Sequence, residues 1–129
     1  VEENVNSKQK GKRMELEFAK FLSERGIKAK RGQQFKGGEN SPDVISDLDN
    51  IHFEVKSTER FTYNQPLKQA IDDSNGTRTP VVVHRYKKTN QKNSYPRGEW
   101  VAILLADDFV NIVAELKKLR EESNAQGQM

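Results

Sequence analysis

Between Ile51 and Tyr86 the chain changes its hydrophobic period twice, and that succession limits the fold more than any other feature. In Ile51-His-Phe-Glu-Val-Lys56 the residues Ile51, Phe53 and Val55 alternate with polar ones, as in a half-buried strand. His52, Glu54 and Lys56 then share the opposite face. Asn64 as N-cap, Pro66 in the first turn and Asn75-Gly76 as the stop bracket a helix. Pro80-Val-Val-Val-His-Arg-Tyr86 follows, apolar and β-branched enough for a central strand.

The flanks extend this pattern. Residues 1–7 are polar and predict a frayed tail. From Ser7 or Lys8 to Arg25, Met14, Phe18, Phe21 and Leu22 recur at helical spacing, with Gly26 as the residue that ends the helix. Ile27 to Phe35 reads as an exposed basic strand before a turn at Gly37-Gly38. Pro42 opens the short segment Asp43-Val-Ile-Ser46, and Asp49-Asn50 turns into the alternating strand. Residues 87–98 lack any period and read as a long loop. Glu99 to Leu105 is the last strand. Asp107 then caps a helix whose Phe109, Ile112, Val113, Leu116 and Leu119 form one stripe, with a polar tail over 123–129.

The order α-β-β-β-α-β-β-α predicts a mixed β-sheet flanked by helices, an α/β (α+β) layer architecture. With no internal repeat or linker, 129 residues are expected to make a single domain over 1–129.

The chain has no cysteine, which excludes disulfides and thiolate metal centres, so any metal must be held by oxygen or imidazole. Its longest apolar run, Trp100 to Ala106, is too short to span a bilayer, and a cytoplasmic location without membrane attachment is expected. The net charge of +3 is modest but unevenly spread: residues 8–36 and 85–97 hold fifteen of the 22 Lys and Arg. Clustered cations suit a polyanion, because contacting phosphates releases condensed counterions. The candidate DNA contacts are Lys8, Lys10, Lys12 and Arg13 in the first stretch, Lys30, Arg31 and Lys36 after the first helix, and Arg85, Lys87, Lys88 and Lys92 in the last. Between the basic stretches lie Glu39, Asp43, Asp47, Asp49 and Glu54, acids that a surface made only to bind DNA would not want.

That juxtaposition directs attention to Pro42-Asp43 and Glu54-Val55-Lys56. If the two segments are neighbouring strands, Asp43 and Glu54 converge, and their mutual repulsion is resolved by a divalent cation. Mg²⁺ takes one or two carboxylates together with water and phosphate oxygens. Lys56, on the face of Glu54, is placed to orient or deprotonate an attacking water or to offset charge on a phosphate. On the first helix Glu15 falls about 60° from the centre of the apolar stripe and Glu17 about 100°. Glu15 is thus the acid that points partly inward and needs a partner, either a metal or a basic side chain.

The run Gly11-Lys-Arg-Met-Glu15 entering an amphipathic helix that ends at Gly26, then Arg31, Pro42-Asp43 and Glu54-Val-Lys56, resembles the archaeal and phage Holliday-junction resolvases of the PD-(D/E)xK superfamily. The resemblance implies a restriction-endonuclease-like fold and Mg²⁺-dependent phosphodiester hydrolysis, with Mn²⁺ as a substitute. It implies that Glu15, Asp43, Glu54 and the carbonyl of Val55 surround the metal, that Lys56 is the catalytic lysine and that Arg31 holds a phosphate. Gln69 stands where many such nucleases carry a glutamine, but the tyrosine often found four residues later is Asp73 here, which weakens any role for Gln69.

Three further residues are weighed beside these. His84 near the end of an apolar strand is either a satisfied strand residue or a phosphate contact. Tyr95 in the basic loop either stacks on an unpaired base or anchors the loop. His52, on the face of Glu54, is either a support for the site's ligands or, in the favoured reading, a neutral surface imidazole. The expected function is a Mg²⁺-dependent endonuclease of branched DNA, most of all four-way junctions, acting as a homodimer because symmetric resolution needs two cuts. The rivals are the same chemistry on a flap, nick or restriction site, and a non-catalytic DNA-binding module of the same fold.

Overall fold

The computed structural model describes residues 2–32, 42–58, 60–86, 95 and 99–127, giving the backbone alone for 2–8 and 10. Its elements are α1 (Glu2–Ser23), β1 (Ala29–Arg31), β2 (Val44–Ser46), β3 (Ile51–Thr58), α2 (Asn64–Ser74), β4 (Thr79–Tyr86), β5 (Val101–Ile103) and α3 (Ala106–Gly127). The five strands form one mixed sheet in the order β1-β2-β3-β4-β5. β1, β2 and β3 run antiparallel, β3 and β4 are parallel from Ile51 opposite Thr79 to Thr58 opposite Tyr86, and β5 returns antiparallel to β4. The parallel step follows from α2, since parallel neighbours need a crossover long enough to bring the chain back to the start of the sheet.

α1 covers one face. Phe18, Ala19 and Leu22 pack on Val44, Phe53, Val55, Val81 and Val83, and Phe18 sits edge-on to both Phe53 and Trp100 at 5.2 Å between ring centres. α2 covers the other face, where Leu67 and Ala70 pack on Val82. β3 is consequently buried on both sides, with His52 and Glu54 as inaccessible as Phe53 and Val55. The expectation of a half-buried strand is corrected here, because α2 lies over the polar set as α1 lies over the apolar one.

Helix ends follow local chemistry. Gly26 adopts φ 85°, and Ile27 N–H reaches Leu22 O while Gly26 N–H reaches Ser23 O, the paired bonds of a left-handed glycine stop. α2 is stopped by Asn75 and Gly76, both at positive φ, but the residue before its first turn is Tyr63, so Asn64 opens the helix rather than capping it. Both terminal helices outrun the expected tails: α1 begins at Glu2 and α3 continues to Gly127. Glu, Lys, Gln and Arg are good helix formers, so polarity alone does not end a helix. Asp107 lies within the first turn of α3 beside Asp108, rather than before it, where both acids still complement the helix dipole.

Of the expected basic strand, Ala29–Arg31 form β1, and residues 33–35 lie outside the described residues. Gly32 follows β1, donating its N–H to Asp43 O at 2.8 Å, and a Cβ at this position would collide with the carbonyl oxygen of Pro42. The turn at Gly37-Gly38 lies outside the described residues. α3 has no buried residue: Phe109, Val113, Leu116 and Leu119 are exposed and Ile112 is half-buried, so among the described residues the stripe expected to face a core meets none. No helix among the described residues is long and apolar enough to cross a membrane.

Candidate functional site

The site lies on the α2 side of the sheet at the β2–β3 junction. Val44 stands opposite Phe53, so the next pair toward the start of β2 is Asp43 and Glu54. Asp43 N–H bonds Phe53 O at 2.9 Å, and Val55 N–H donates to Asp43 Oδ2 at 2.8 Å. Asp43 and Glu54 are both buried. Lys56, next on the same face of β3, brings Nζ to 3.6 Å from Glu54 Oε1.

Burial dominates the electrostatics. It pushes Glu54 up to about 7, helped by the charge of Asp43 and opposed by Lys56. Asp43 is raised by burial against the Val55 N–H and Lys56, which favour its charged form. Glu15 is also raised, first by burial and then by Asp43. Three carboxylates therefore share a region whose cations do not fully offset their desolvation, and carboxylates in that condition favour an added cation.

Glu15 reaches this region from α1, as its inward angle predicts. Its Oε2 accepts a hydrogen bond from Arg31 Nε at 2.7 Å. The partner supplied by the protein is thus the basic side chain, and the pair ties α1 to β1. Glu17, on the other flank of α1, pairs with Arg85, whose guanidinium also lies 4.6 Å over the Trp100 ring. Arg85, expected to contact DNA, is committed to holding α1 against β4 and the entry to β5.

Lys12, Arg13 and Lys30 are exposed, and Arg31 is partly so. The side chains of Lys8 and Lys10, and all of Lys36, Lys87, Lys88 and Lys92, lie outside the described residues. Gln69 is exposed on α2.

His84 is fully buried: its Nε2 meets Thr58 Oγ1 at 3.0 Å, its Nδ1 meets Tyr95 OH at 2.9 Å, and Phe61 stacks on it at 3.8 Å. Burial lowers it to about 4, so a neutral imidazole joins two hydroxyls. Of the two readings of His84, the satisfied strand residue holds, since both nitrogens are engaged and neither is left for a phosphate. The bond from His84 to Tyr95, with Tyr86 packed at 4.7 Å, holds the Tyr95 ring against β4 rather than leaving it as a platform for a base.

Sequence reasoning underrated one group and missed another. His52, read as a surface imidazole, is 1% exposed, and burial lowers its pKa. Asp73, noted only as a missing tyrosine, is half-buried on α2 and adds its charge to Asp43 and Glu54. Helical spacing carried the signal: Asp73 is three residues beyond Ala70, which packs on the sheet, and so shares its side of the helix.

Comparison with known proteins bears on the first part of the chain. No curated protein matches it. Residues 6–65 match the family model described as archaeal Holliday junction resolvase (hjc). That stretch runs from α1 through β3 into α2 and contains Glu15, Arg31, Asp43, Glu54, Val55 and Lys56. Over residues 6–65, then, this mixed-sheet chain resembles the archaeal Holliday junction resolvases, and with them the PD-(D/E)xK nucleases.

Proposed function

We propose that this protein is a Mg²⁺-dependent endonuclease that hydrolyses phosphodiesters in branched DNA, with four-way junctions as its substrate. The observation that carries the reading is the buried Asp43–Glu54 pair with Lys56 beside it, inside the stretch that resembles the resolvases. A structural ion pair on a strand would need one carboxylate and solvent access. Here two carboxylates are buried side by side, and Glu54 is raised to about 7.

The donor chemistry of the residues present fits a divalent cation, around which Glu15, Asp43 and Glu54 would draw closer than they stand. Asp43, Glu54, Glu15 and the carbonyl of Val55 would hold it, an oxygen set of the kind Mg²⁺ takes and Mn²⁺ accepts. When bound, the ion supplies Lewis-acid polarisation of a phosphate oxygen and lowers the pKa of a water. The Val55 N–H fixes one oxygen of Asp43, so that carboxylate is oriented before substrate arrives. Lys56 offers positive charge to the reacting phosphate or a proton site to the attacking water. Arg31 holds Glu15 through Nε, and a guanidinium carries five N–H donors, which leaves it suited to a phosphate as well.

The exposed seam of α3 supports a homodimer. Leu105 just before the helix and Phe109, Ile112, Leu116 and Leu119 within it repeat at alternating four- and three-residue steps, the pattern of a coiled-coil seam. Phe109, Leu116 and Leu119 are about half exposed. Glu115 and Arg120 flank the seam five residues apart, as charges do that pair between parallel copies of one helix. A second copy would bury this seam and present two sites to one junction. The test is cleavage of labelled four-way, flap and linear DNA with and without Mg²⁺. Metal-dependent paired cuts in the junction support the reading, and equal cutting of all three removes the junction preference.

A further inference from the structure

On the same face of β3 as Glu54, one step toward the strand start, His52 is buried with Nε2 lacking any hydrogen-bond partner among the described residues. An orphaned polar atom of this kind costs about 1–3 kcal/mol, and native interiors rarely keep one without a purpose or a bound partner. Asp73 descends from α2 onto the same spot. A ring nitrogen of His52 and a carboxylate oxygen from each of Glu54 and Asp73 lie within 4.8 Å of one another. Among the described residues no other trio of histidines and acids is gathered so closely, and Glu15, Asp43 and Glu54 are not.

Donor atoms around one ion at about 2.1 Å stand at most ~4.2 Å apart, so this trio needs only a small contraction to close on a cation. Access exists, because a cleft of about 450 Å³ lined by Pro42, Ile45, His52, Asp73 and Ser74 opens beside it. The donor set is mixed. Mg²⁺ avoids nitrogen, whereas one imidazole with two carboxylates suits Zn²⁺ or Mn²⁺.

We propose that His52, Glu54 and Asp73 form a second divalent-cation site, with preference for Zn²⁺ or Mn²⁺ over Mg²⁺, that shares Glu54 with the Asp43 site. Glu54 then stands between two ions of different character, with Asp43 and Lys56 on one side and His52 and Asp73 on the other. The site does not depend on the nuclease reading, since it would fill in a chain that cuts no DNA.

The test is binding, followed without substrate. His52 and His84 are the two histidines of the chain, so their ring resonances report separately during titration of the whole protein with Zn²⁺. The His52 signals should move with the first equivalent and those of His84, enclosed by Thr58 and Tyr95, should stay. By calorimetry His52→Gln and Asp73→Asn should each weaken Zn²⁺ at least tenfold, while Asp43→Asn should leave the His52 shift in place. Should His52→Gln fail to fold, Asp73→Asn, altered at a half-buried helix position, carries the same comparison. His52 signals that stay put in saturating Zn²⁺, or Zn²⁺ affinity unchanged in Asp73→Asn, would overturn the site and leave a water as the partner of Nε2.

Discussion

The N–H of Val55 donates to Oδ2 of Asp43 at 2.8 Å, joining the first acid of the site to the strand that carries the second. The bond asks only for an acceptor, so the charge of Asp43 can be removed without removing its place in the fold.

Asp43→Asn, Glu54→Gln and Lys56→Ala should therefore each abolish DNA cleavage while leaving binding within a few fold, because all three act in the chemical step. Single-turnover cleavage and a binding titration in Ca²⁺ make the comparison. Parental cutting by Lys56→Ala would show that the site is wrongly assigned.

Stability should fall as pH rises in the absence of metal. Glu54 has an ordinary value of 4.5 and stands at about 7 when folded, so between these values the folded chain keeps a proton that the unfolded chain has released. Stability declines across that window and levels off above it, by a total on the order of 3 kcal/mol. Asp43 and Glu15 shift in the same direction. The rise in Tm produced by Mg²⁺ should be small near pH ~5 and largest above pH ~7, where the carboxylates are ionised. In EDTA at the higher pH, Asp43→Asn should melt above the parent. A metal-free Tm that climbs through the window contradicts the crowding of these acids.

Lys12, Arg13 and Lys30 are exposed, and replacing each by Ala should weaken binding of every DNA tested. For every phosphate that a replacement leaves without its cation, the plot of log affinity against log salt should flatten by about 0.9. An unchanged slope in the triple variant would move the DNA to another face.

Leu116→Lys and Phe109→Lys place charge on the α3 seam at positions about half exposed within the chain. Both should give monomers in sedimentation with nearly unchanged far-UV circular dichroism, and paired junction cuts should become single nicks. A parent that sediments as a monomer at micromolar concentration would rule out the seam as an interface.

The element order was legible because each period change sits between strong punctuation, Asp49-Asn50 before β3 and Asn75-Gly76 after α2. Asp43, Glu54 and Lys56 were legible because a strand alternates and a hairpin sets register. What alternation does not reveal is what lies over the polar face. His52 read as a surface imidazole, yet α2 buries it together with Glu54, and Asp73 joins them from an element distant in sequence. The stripe on α3 has the spacing of a core-facing helix, and spacing alone does not say whether its complement is in the same chain. Arg85 and Arg31 counted as charge along the sequence, while the fold pairs them with Glu17 and Glu15.

Gly32 and Asp43 bring the two ends of the intervening residues together through one 2.8 Å bond, with no room between them for a side chain on Gly32. Any side chain at Gly32 would press on the Pro42 carbonyl and push β1 away from the backbone that carries the first acid of the site. The placing of that carboxylate thus depends on a neighbour that contributes no side chain of its own.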